Sequence, residues 1–334
     1  MYKISVLIGI FVNFVRGYTV EPISSEKWLQ AYSPYYNAET QSLYFCDFFD
    51  SKRTINRFDM TENRFYSAAI EGNISTTFII PIDKQIDQYA ISNKNSVNVV
   101  QWNGKDSIIR FLRDTFTVET GSNYELNQYN MGRASPNRNF YGGTFTLDLC
   151  IKPRTSNAAL YLYTKCLGVK ALERKIMVAS GMDWNIKAKL FYFIDTCRYQ
   201  VYEFDWNPET DEICNKRIVF DFKKNGMGQG VFPLALTIDD EGFLYVGLLF
   251  GSAVWKINPR NAQVTEIIHI PAEIVLGLVF GGKNYRTLFV TTGSTAYNFT
   301  TGGLSDGTFS QQSGLIFKVN GLNARGYPTR KIIV

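Results

Sequence analysis

One recurring pattern limits the folds that this chain can adopt. A run of strand-forming residues ends in a small or acidic residue, and a short gap then leads to a second, alternating strand and a turn. The clearest copies begin near residues 43, 140, 190, 244 and 288. This spacing predicts one further copy near 85–95. Units of several strands that repeat every ~45–55 residues are typical of β-propellers. We therefore predict an all-β chain folded as a single six-bladed β-propeller.

The composition agrees with an all-β fold. Aromatic residues make up 15% of the chain, and aromatic and β-branched residues favour strands. The alternative is a β-sandwich with irregular strands. A sandwich of this length would need two domains, and no linker rich in Pro, Gly or Ser divides the chain. A single closed propeller is the better interpretation.

The first residues have the pattern of a secretory signal peptide. Lys3 supplies a positive charge, an apolar run follows over 4–15, and Gly17 suits a cleavage site. A first strand or a membrane anchor are the alternatives. We predict a signal peptide over 1–17, a propeller domain over 18–334 and a secreted, extracellular protein. No later stretch reaches the ~18 apolar residues of a spanning helix, so no membrane span is expected after signal removal.

The charge and the cysteine content indicate which kinds of partner and which cellular compartment to expect. The net charge of +5 comes from scattered Lys and Arg residues without a basic run, which argues against nucleic-acid binding. In an oxidising compartment one or two disulfides are possible, and their pairing stays open. The five cysteines are Cys46, Cys150, Cys166, Cys197 and Cys214. Secretion would also make Asn73 and Asn298, each in an Asn-X-Ser/Thr sequon, candidate glycosylation sites.

Several segments together resemble the family of regucalcin, gluconolactonase and luciferin-regenerating enzyme, also called the senescence marker protein family. The matching segments include SPYYNAETQSLYFCDF, GMDWNIKAKLFYFIDT and IDDEGFLYVGLLFGSAVWKINP, and they lie at 33–48, 181–196, 207–222, 238–259, 280–292 and 314–326. The resemblance implies a six-bladed propeller. It also implies descent from lactonases in which a divalent ion in the channel polarises a lactone carbonyl and activates water.

The residues at the family's metal positions differ in this chain. The family has a Glu before Ser-Pro, where this chain has Tyr32, and an Asn before Gly-Leu-Asp-Trp, where it has Ser180. The family's third ligand, an Asp that is also the general base, corresponds to Leu234. A bound divalent ion needs anionic oxygen ligands, and water activation needs a metal or a base. We therefore expect no metal at these positions and no catalytic residue in this chain, which leaves its status as an enzyme doubtful.

The stretch that resembles the family's substrate-contact segment is also altered. Gln128 stands where the family has Arg, and Met131 stands where it has Asp. Asn130 and Gly132 match, and Arg133 keeps a positive charge. Asn130 is either a ligand contact or a turn residue that makes a local hydrogen bond. We predict a channel site that binds a ligand through Tyr32, Gln128, Asn130, Ser180 and Leu234.

Other catalytic arrangements have little support in the sequence. The chain has one histidine, His269, in the apolar segment IIHIP, so a catalytic triad would have to use it. We interpret it as a surface or hydrogen-bonded histidine. Asp195, Asp239 and Asp240 could hold a displaced metal, but short-range hydrogen bonds that fix the turns are the better interpretation.

These observations favour a secreted pseudoenzyme that binds a small organic ligand in its central channel and needs no cofactor. Two alternatives stay open. One is an active lactonase or related hydrolase whose calcium or zinc site is rebuilt from other residues. The other is a secreted scaffold with an extracellular protein partner, for which the polar insertion 296–314 is the best candidate surface.

Overall fold

Antiparallel strands form almost all the regular structure of this chain. The structure is a computed structural model, and it describes residues 17–50, 52, 54–70, 76–146, 150, 157–298, 303–305, 307 and 309–334. Most of the predicted signal peptide and the sequon at Asn73 lie outside the described residues. None of the helices within these ranges is long and apolar enough to span a membrane.

The strands are short and follow one another closely along the chain. The described residues form 24 strands. In chain order these are β1 (Thr19–Pro22), β2 (Ala31–Asn37), β3 (Ser42–Asp47), β4 (Ile55–Asp59), β5 (Arg64–Ile70), β6 (Ile79–Pro81), β7 (Gln88–Asn93), β8 (Ser96–Gln101), β9 (Ile108–Thr117), β10 (Asn127–Ala134), β11 (Phe140–Thr146), β12 (Ala158–Thr164), β13 (Gly168–Ile176), β14 (Ala179–Asn185), β15 (Leu190–Asp195), β16 (Gln200–Trp206), β17 (Ile213–Asp221), β18 (Phe232–Ile238), β19 (Leu244–Leu249), β20 (Ala253–Asn258), β21 (Gln263–His269), β22 (Val275–Gly281), β23 (Thr287–Thr292) and β24 (Ile316–Asn320). Single 3₁₀ turns lie at Ser122–Tyr124, Thr196–Arg198 and Lys283–Tyr285.

These strands pair into five sheets. Sheet I has eight strands in the order β2-β3-β4-β5-β9-β8-β7-β6. Sheets II, III and IV are four-stranded meanders of β10–β13, β14–β17 and β18–β21. Sheet V has the order β1-β24-β23-β22, so a strand from the start of the chain completes the sheet formed near its end.

The prediction of a single six-bladed propeller is wrong, although the all-β propeller class is correct. The described residues form four four-stranded blades and one continuous eight-stranded sheet, rather than six separate blades. The physical reason is a short parallel pairing between the outer strands β5 and β9, in which Ala69 pairs with Ile108 and Ile70 with Ile109. This pairing joins two meanders that the sequence pattern predicted as separate units.

The inner strands of the sheets surround a central channel. Strands β10, β14, β18 and β22 each form one edge of sheets II to V, and both end strands of sheet I, β2 and β6, also face the channel. These strands are largely buried, because they pack on their neighbours around the ring. The apolar core lies between adjacent sheets in several clusters rather than in one central layer.

After β24 the chain crosses one mouth of the channel. This C-terminal strap, residues 321–334, pairs with sheet IV through Asp239 and Gly326. It then reaches sheet I, where Thr329 donates a hydrogen bond to the Tyr36 carbonyl and Ile332 pairs with Ile82. The strap therefore forms part of the channel wall at the end where the inner strands terminate.

Candidate functional site

A β-bulge interrupts five of the inner strands at a similar depth in the channel. The extra residue is Asn130 in β10, Leu234 in β18 and Leu276 in β22. In β14 the pair Ser180–Gly181 stands opposite one residue, and in β2 a bulge directly follows Tyr32. A bulge leaves its extra residue outside the ladder and turns its side chain. The bulges thus bring residues far apart in sequence to one level of the channel.

The structure places four of the five predicted site residues on the channel wall. Tyr32, Asn130, Ser180 and Leu234 line a cavity of about 950 Å³, counting the space that opens to solvent. Tyr32 and Asn130 also border a second cavity of about 350 Å³ towards the opposite mouth. Gln128 pairs with Phe145 in the β10–β11 ladder and lines neither cavity. Whether these residues bind a ligand stays a prediction.

At the level of the bulges (the bulge level), the polar side chains are joined in a chain of hydrogen bonds. Asn130 Nδ2 donates to the Ala179 carbonyl at 2.7 Å and to Ser180 Oγ at 3.2 Å. Ser180 Oγ lies 2.6 Å from Thr196 Oγ1, which donates to the Pro233 carbonyl at 2.8 Å. The directions are consistent if Ser180 donates to Thr196. Asn130 thus links sheet II to sheet III, rather than making the local turn bond considered from the sequence.

Tyr32 and Leu234 belong to an apolar cluster at the same level. Leu234 packs in a buried group with Phe48, Phe145 and Leu276, and Tyr32 borders that group. The rings of Tyr32 and Phe48 lie 6.1 Å apart between centroids. Burial raises the pKa of Tyr32 far above its ordinary value, so the phenol stays neutral at physiological pH.

The donor set at the bulge level does not fit a divalent metal. Such an ion takes carboxylate, carbonyl or water oxygens and needs negative charge to replace its hydration. The three positions that resemble the family's ligands offer a neutral phenol, a hydroxyl already in hydrogen bonds and an aliphatic side chain. Within the described ranges, no group of three His, Cys, Asp or Glu side chains is arranged to hold a metal.

The acidic residues that were considered for a displaced metal have structural partners. Asp195 accepts hydrogen bonds from the Met177 and Val178 amides and pairs with Arg198. Asp239 accepts from the Glu241 and Phe243 amides. Asp240 forms an ion pair with Arg325 on the C-terminal strap. Of the three acids, Asp239 makes the short-range turn bonds that the sequence predicts. Asp195 instead holds the segment that leads into β14, and Asp240 holds the strap.

The larger cavity contains an ion pair that the sequence did not reveal. Arg133 Nη2 lies 2.9 Å from Asp183 Oδ2, and its Nη1 donates to the Met182 and Leu236 carbonyls. Burial of the Asp183 carboxyl raises its pKa, while Arg133 and three further hydrogen bonds act in the opposite direction. Because the two residues come from different sheets, no sequence spacing could have identified the pair.

The strap and Thr196 were also missed from the sequence. Residues 327–330 line the larger cavity although they follow the last strand. Thr196 closes the hydrogen-bond chain from a 3₁₀ turn. The only available signal for Thr196 was its place directly after Asp195, at the end of the repeated strand pattern.

The other predicted positions line neither of the two cavities. Cys150 and Cys197 form a disulfide, whereas Cys46, Cys166 and Cys214 are free. His269 is exposed at the end of β21, the outer strand of sheet IV. The half-buried Asn298 lies in the insertion at 296–314, and its glycosylation stays a prediction.

Comparisons with known proteins relate this geometry to one family. The family model described as SMP-30/Gluconolactonase/LRE-like region matches residues 31–294. Regucalcin from Danio rerio is 27% identical over 312 residues, covering 92% of this chain and 96% of that protein. The structure of a luciferin-regenerating enzyme superposes with a TM-score of 0.84 at 28% identity, covering 95% of this chain and all of that one (100%). A regucalcin from Agrobacterium tumefaciens, described as a calcium-binding protein, has a TM-score of 0.76 at 16% identity and covers 95% and 98%, which is a likeness of fold.

Proposed function

Because this chain belongs to the SMP-30/gluconolactonase/LRE-like family, we propose that it is a secreted, non-catalytic member that binds a small organic ligand in its channel. One observation carries the proposal. The positions that resemble the family's metal ligands hold Tyr32, Ser180 and Leu234, and none of these supplies a negative charge. Without a metal or a carboxylate base at this level, no group is placed there to activate water.

The surroundings of these residues support the same proposal. Ser180 and Asn130 are held in the inter-sheet hydrogen-bond chain. Leu234 lies among aromatic and aliphatic side chains. An apolar cavity with a few polar groups suits a small organic molecule better than a hydrated divalent ion.

The secretion part of the proposal rests on the N-terminal sequence and on the disulfide. A charged residue, an apolar run and a small residue at Gly17 have the order of a signal peptide. The Cys150–Cys197 disulfide suits an oxidising compartment. Expression of the full chain in secretory cells should release into the medium a protein that begins near Tyr18. Retention of an uncleaved chain inside the cell would contradict secretion.

We expect the purified protein to contain no stoichiometric divalent metal. Millimolar calcium or zinc should change its melting temperature by less than about 1 °C, because we expect neither ion to bind. A metal that did bind, at 100 times its Kd, would stabilise the protein by ~2.7 kcal/mol. The measurements are elemental analysis and thermal unfolding with and without chelator. One equivalent of bound metal, or a calcium-dependent shift of several degrees, would overturn the proposal.

A matched variant tests whether the residues at these three positions explain the expected lack of metal binding. Tyr32→Glu combined with Ser180→Asn and Leu234→Asp restores the family's ligand types at the bulge level. We expect this variant to be less stable than the parent with chelator, because it buries two unpaired carboxylates. It should regain stability with calcium, whereas the parent should not respond.

The alternative of an active hydrolase predicts a different outcome. If other residues rebuild a metal site, the protein should hydrolyse simple aldonolactones with saturation, and a chelator should stop the reaction. Asn130→Ala should then lower the rate, because Asn130 is the polar residue of the substrate-contact segment that matches the family and lies on the channel wall. Our proposal predicts no hydrolysis above the buffer rate with either metal.

A further inference from the structure

The larger cavity opens at the mouth crossed by the C-terminal strap. Its lining residues run from the bulges towards the ends of the inner strands and include Tyr327 to Arg330 of the strap. All of these residues lie within the described ranges. Most of the wall is apolar, with Ile80, Met131 and Leu278 among the side chains that form it. Such a wall can take the hydrophobic body of a ligand.

The charged groups of this cavity leave one cation in excess. Arg133, Asp183 and Arg330 are the Arg, Lys, Asp and Glu residues among those that line it. Arg133 and Asp183 neutralise each other through their ion pair. Arg330 is exposed at the rim, and it makes no ion pair or side-chain hydrogen bond with any other residue that the structure describes. The unpaired charge at the mouth therefore favours an anion.

One further hydrogen-bonding group, on a residue of the same wall, has no protein partner. The Tyr327 hydroxyl is buried and makes no hydrogen bond with another described residue. Leaving such a group unsatisfied costs about 1–3 kcal/mol. The hydroxyl can donate, so a ligand group that only accepts hydrogen bonds, such as a carboxylate or sulfonate, is the complementary chemistry.

From these observations we propose that the ligand is an amphiphilic organic anion that enters through the strap-side mouth. Its apolar body lies against the channel wall, and its acidic group stays near Arg330 and Tyr327. This inference deepens the proposed function and rests on it. It adds the mouth of entry, the charge of the ligand and the residue that recognises the charge.

Two fluorescent probes with the same apolar body separate these claims. Anilinonaphthalene sulfonate carries one negative charge, and its uncharged parent, phenylnaphthylamine, carries none. We expect the sulfonate to bind more tightly than the parent, and added salt to reduce this preference. Arg330→Gln should weaken sulfonate binding about two- to fivefold, the range for an exposed charge pair, and leave the neutral probe unchanged. Tyr327→Phe should also weaken only the sulfonate.

Control variants identify which cavity binds the probes. Arg110→Gln removes an equal charge from an exposed position on the outer strand β9 and should change neither affinity. Met131→Trp should abolish binding of both probes by filling the larger cavity. Phe49→Trp, which changes only the wall of the second cavity, should leave both affinities intact. Circular dichroism and thermal unfolding confirm that each variant is folded.

The outcomes distinguish this inference from the proposed function. If Met131→Trp abolishes binding but Arg330→Gln affects both probes equally or neither, the channel binds ligands and the anion claim is wrong. If Phe49→Trp blocks binding and Met131→Trp does not, the mouth of entry is wrong. If neither probe binds the channel, ligand binding at this site fails as a whole.

Discussion

At the residue scale, acids at strand ends hold the chain that leads into the channel. Asp47 ends β3 and accepts hydrogen bonds from the Leu29 and Gln30 amides at 2.9 and 2.8 Å. Asp195 ends β15 and accepts from the Met177 and Val178 amides in the same way. The repeated acid in LYFCD and LFYFID thus satisfies backbone groups just before the bulge of the preceding inner strand. These backbone hydrogen bonds account for the recurrence of the acid in the sequence.

Replacement of Asp195 by Asn tests this role. We expect Asp195→Asn to lower the free energy of unfolding by about 1–3 kcal/mol, because one buried amide loses its acceptor and Arg198 loses its ion pair. Urea denaturation at neutral pH provides the measurement. Asp106→Asn removes the same charge from an exposed loop position and should change stability by less than ~0.5 kcal/mol. Equal effects of the two substitutions would refute the structural role of Asp195.

At the scale of the elements, the sequence predicts strands better than it predicts their irregularities. The patterns LYFCDF, LFYFID and LYVGLL correspond to β3, β15 and β19. They could be predicted because runs of aromatic and aliphatic residues are typical of strands buried in a sheet. The bulges in β10, β14 and β18 have no comparable pattern in the sequence. A bulge is defined by how a strand pairs with its neighbour, and the residues of one strand alone do not determine that pairing. The β5–β9 pairing was missed for the same reason: it depends on how two outer strands meet in space.

Gly181 shows how closely the bulged strands approach one another. A Cβ added to Gly181 would lie 2.4 Å from the backbone nitrogen of Leu236 in the adjacent inner strand. We expect Gly181→Ala to destabilise the protein by about 1–3 kcal/mol or more, because backbone atoms must move to admit the methyl group. Thermal and urea unfolding measure the change.

The matched control for this prediction is Gly228→Ala. An added Cβ at Gly228 meets no atom within 4 Å, so this substitution should be neutral or slightly stabilising. A neutral Gly181→Ala variant would mean that sheets III and IV can separate at the bulge without cost, and that the bulge level of the channel is not rigid.

At the scale of the whole molecule, residues from both ends of the chain complete the architecture. Strand β1 pairs with β24 from Thr19↔Asn320 to Pro22↔Phe317, and the strap after β24 forms part of the channel wall. The family resemblance predicted four of the five residues that were expected on the channel wall, because it identifies positions in equivalent strands; Gln128 is the exception. It could not predict the strap, the Arg133–Asp183 pair or the unpaired Arg330, because these features depend on how separate parts of the chain meet in space.

Removal of the first strand tests whether the chain ends stabilise the closed molecule. A chain that begins at Ile23 lacks β1, so β24 becomes an unprotected edge with free backbone groups beside the buried residues Ile316, Phe317 and Val319. We expect a loss of about 2–4 kcal/mol in the free energy of unfolding, from the lost ladder hydrogen bonds. Concentration-dependent self-association should follow from the exposed edge. Urea denaturation and light scattering, compared with a chain that begins at Tyr18, measure both effects. If the shortened chain is equally stable and stays monomeric, three strands suffice for sheet V, and the N-terminal pairing contributes little to the stability of the propeller.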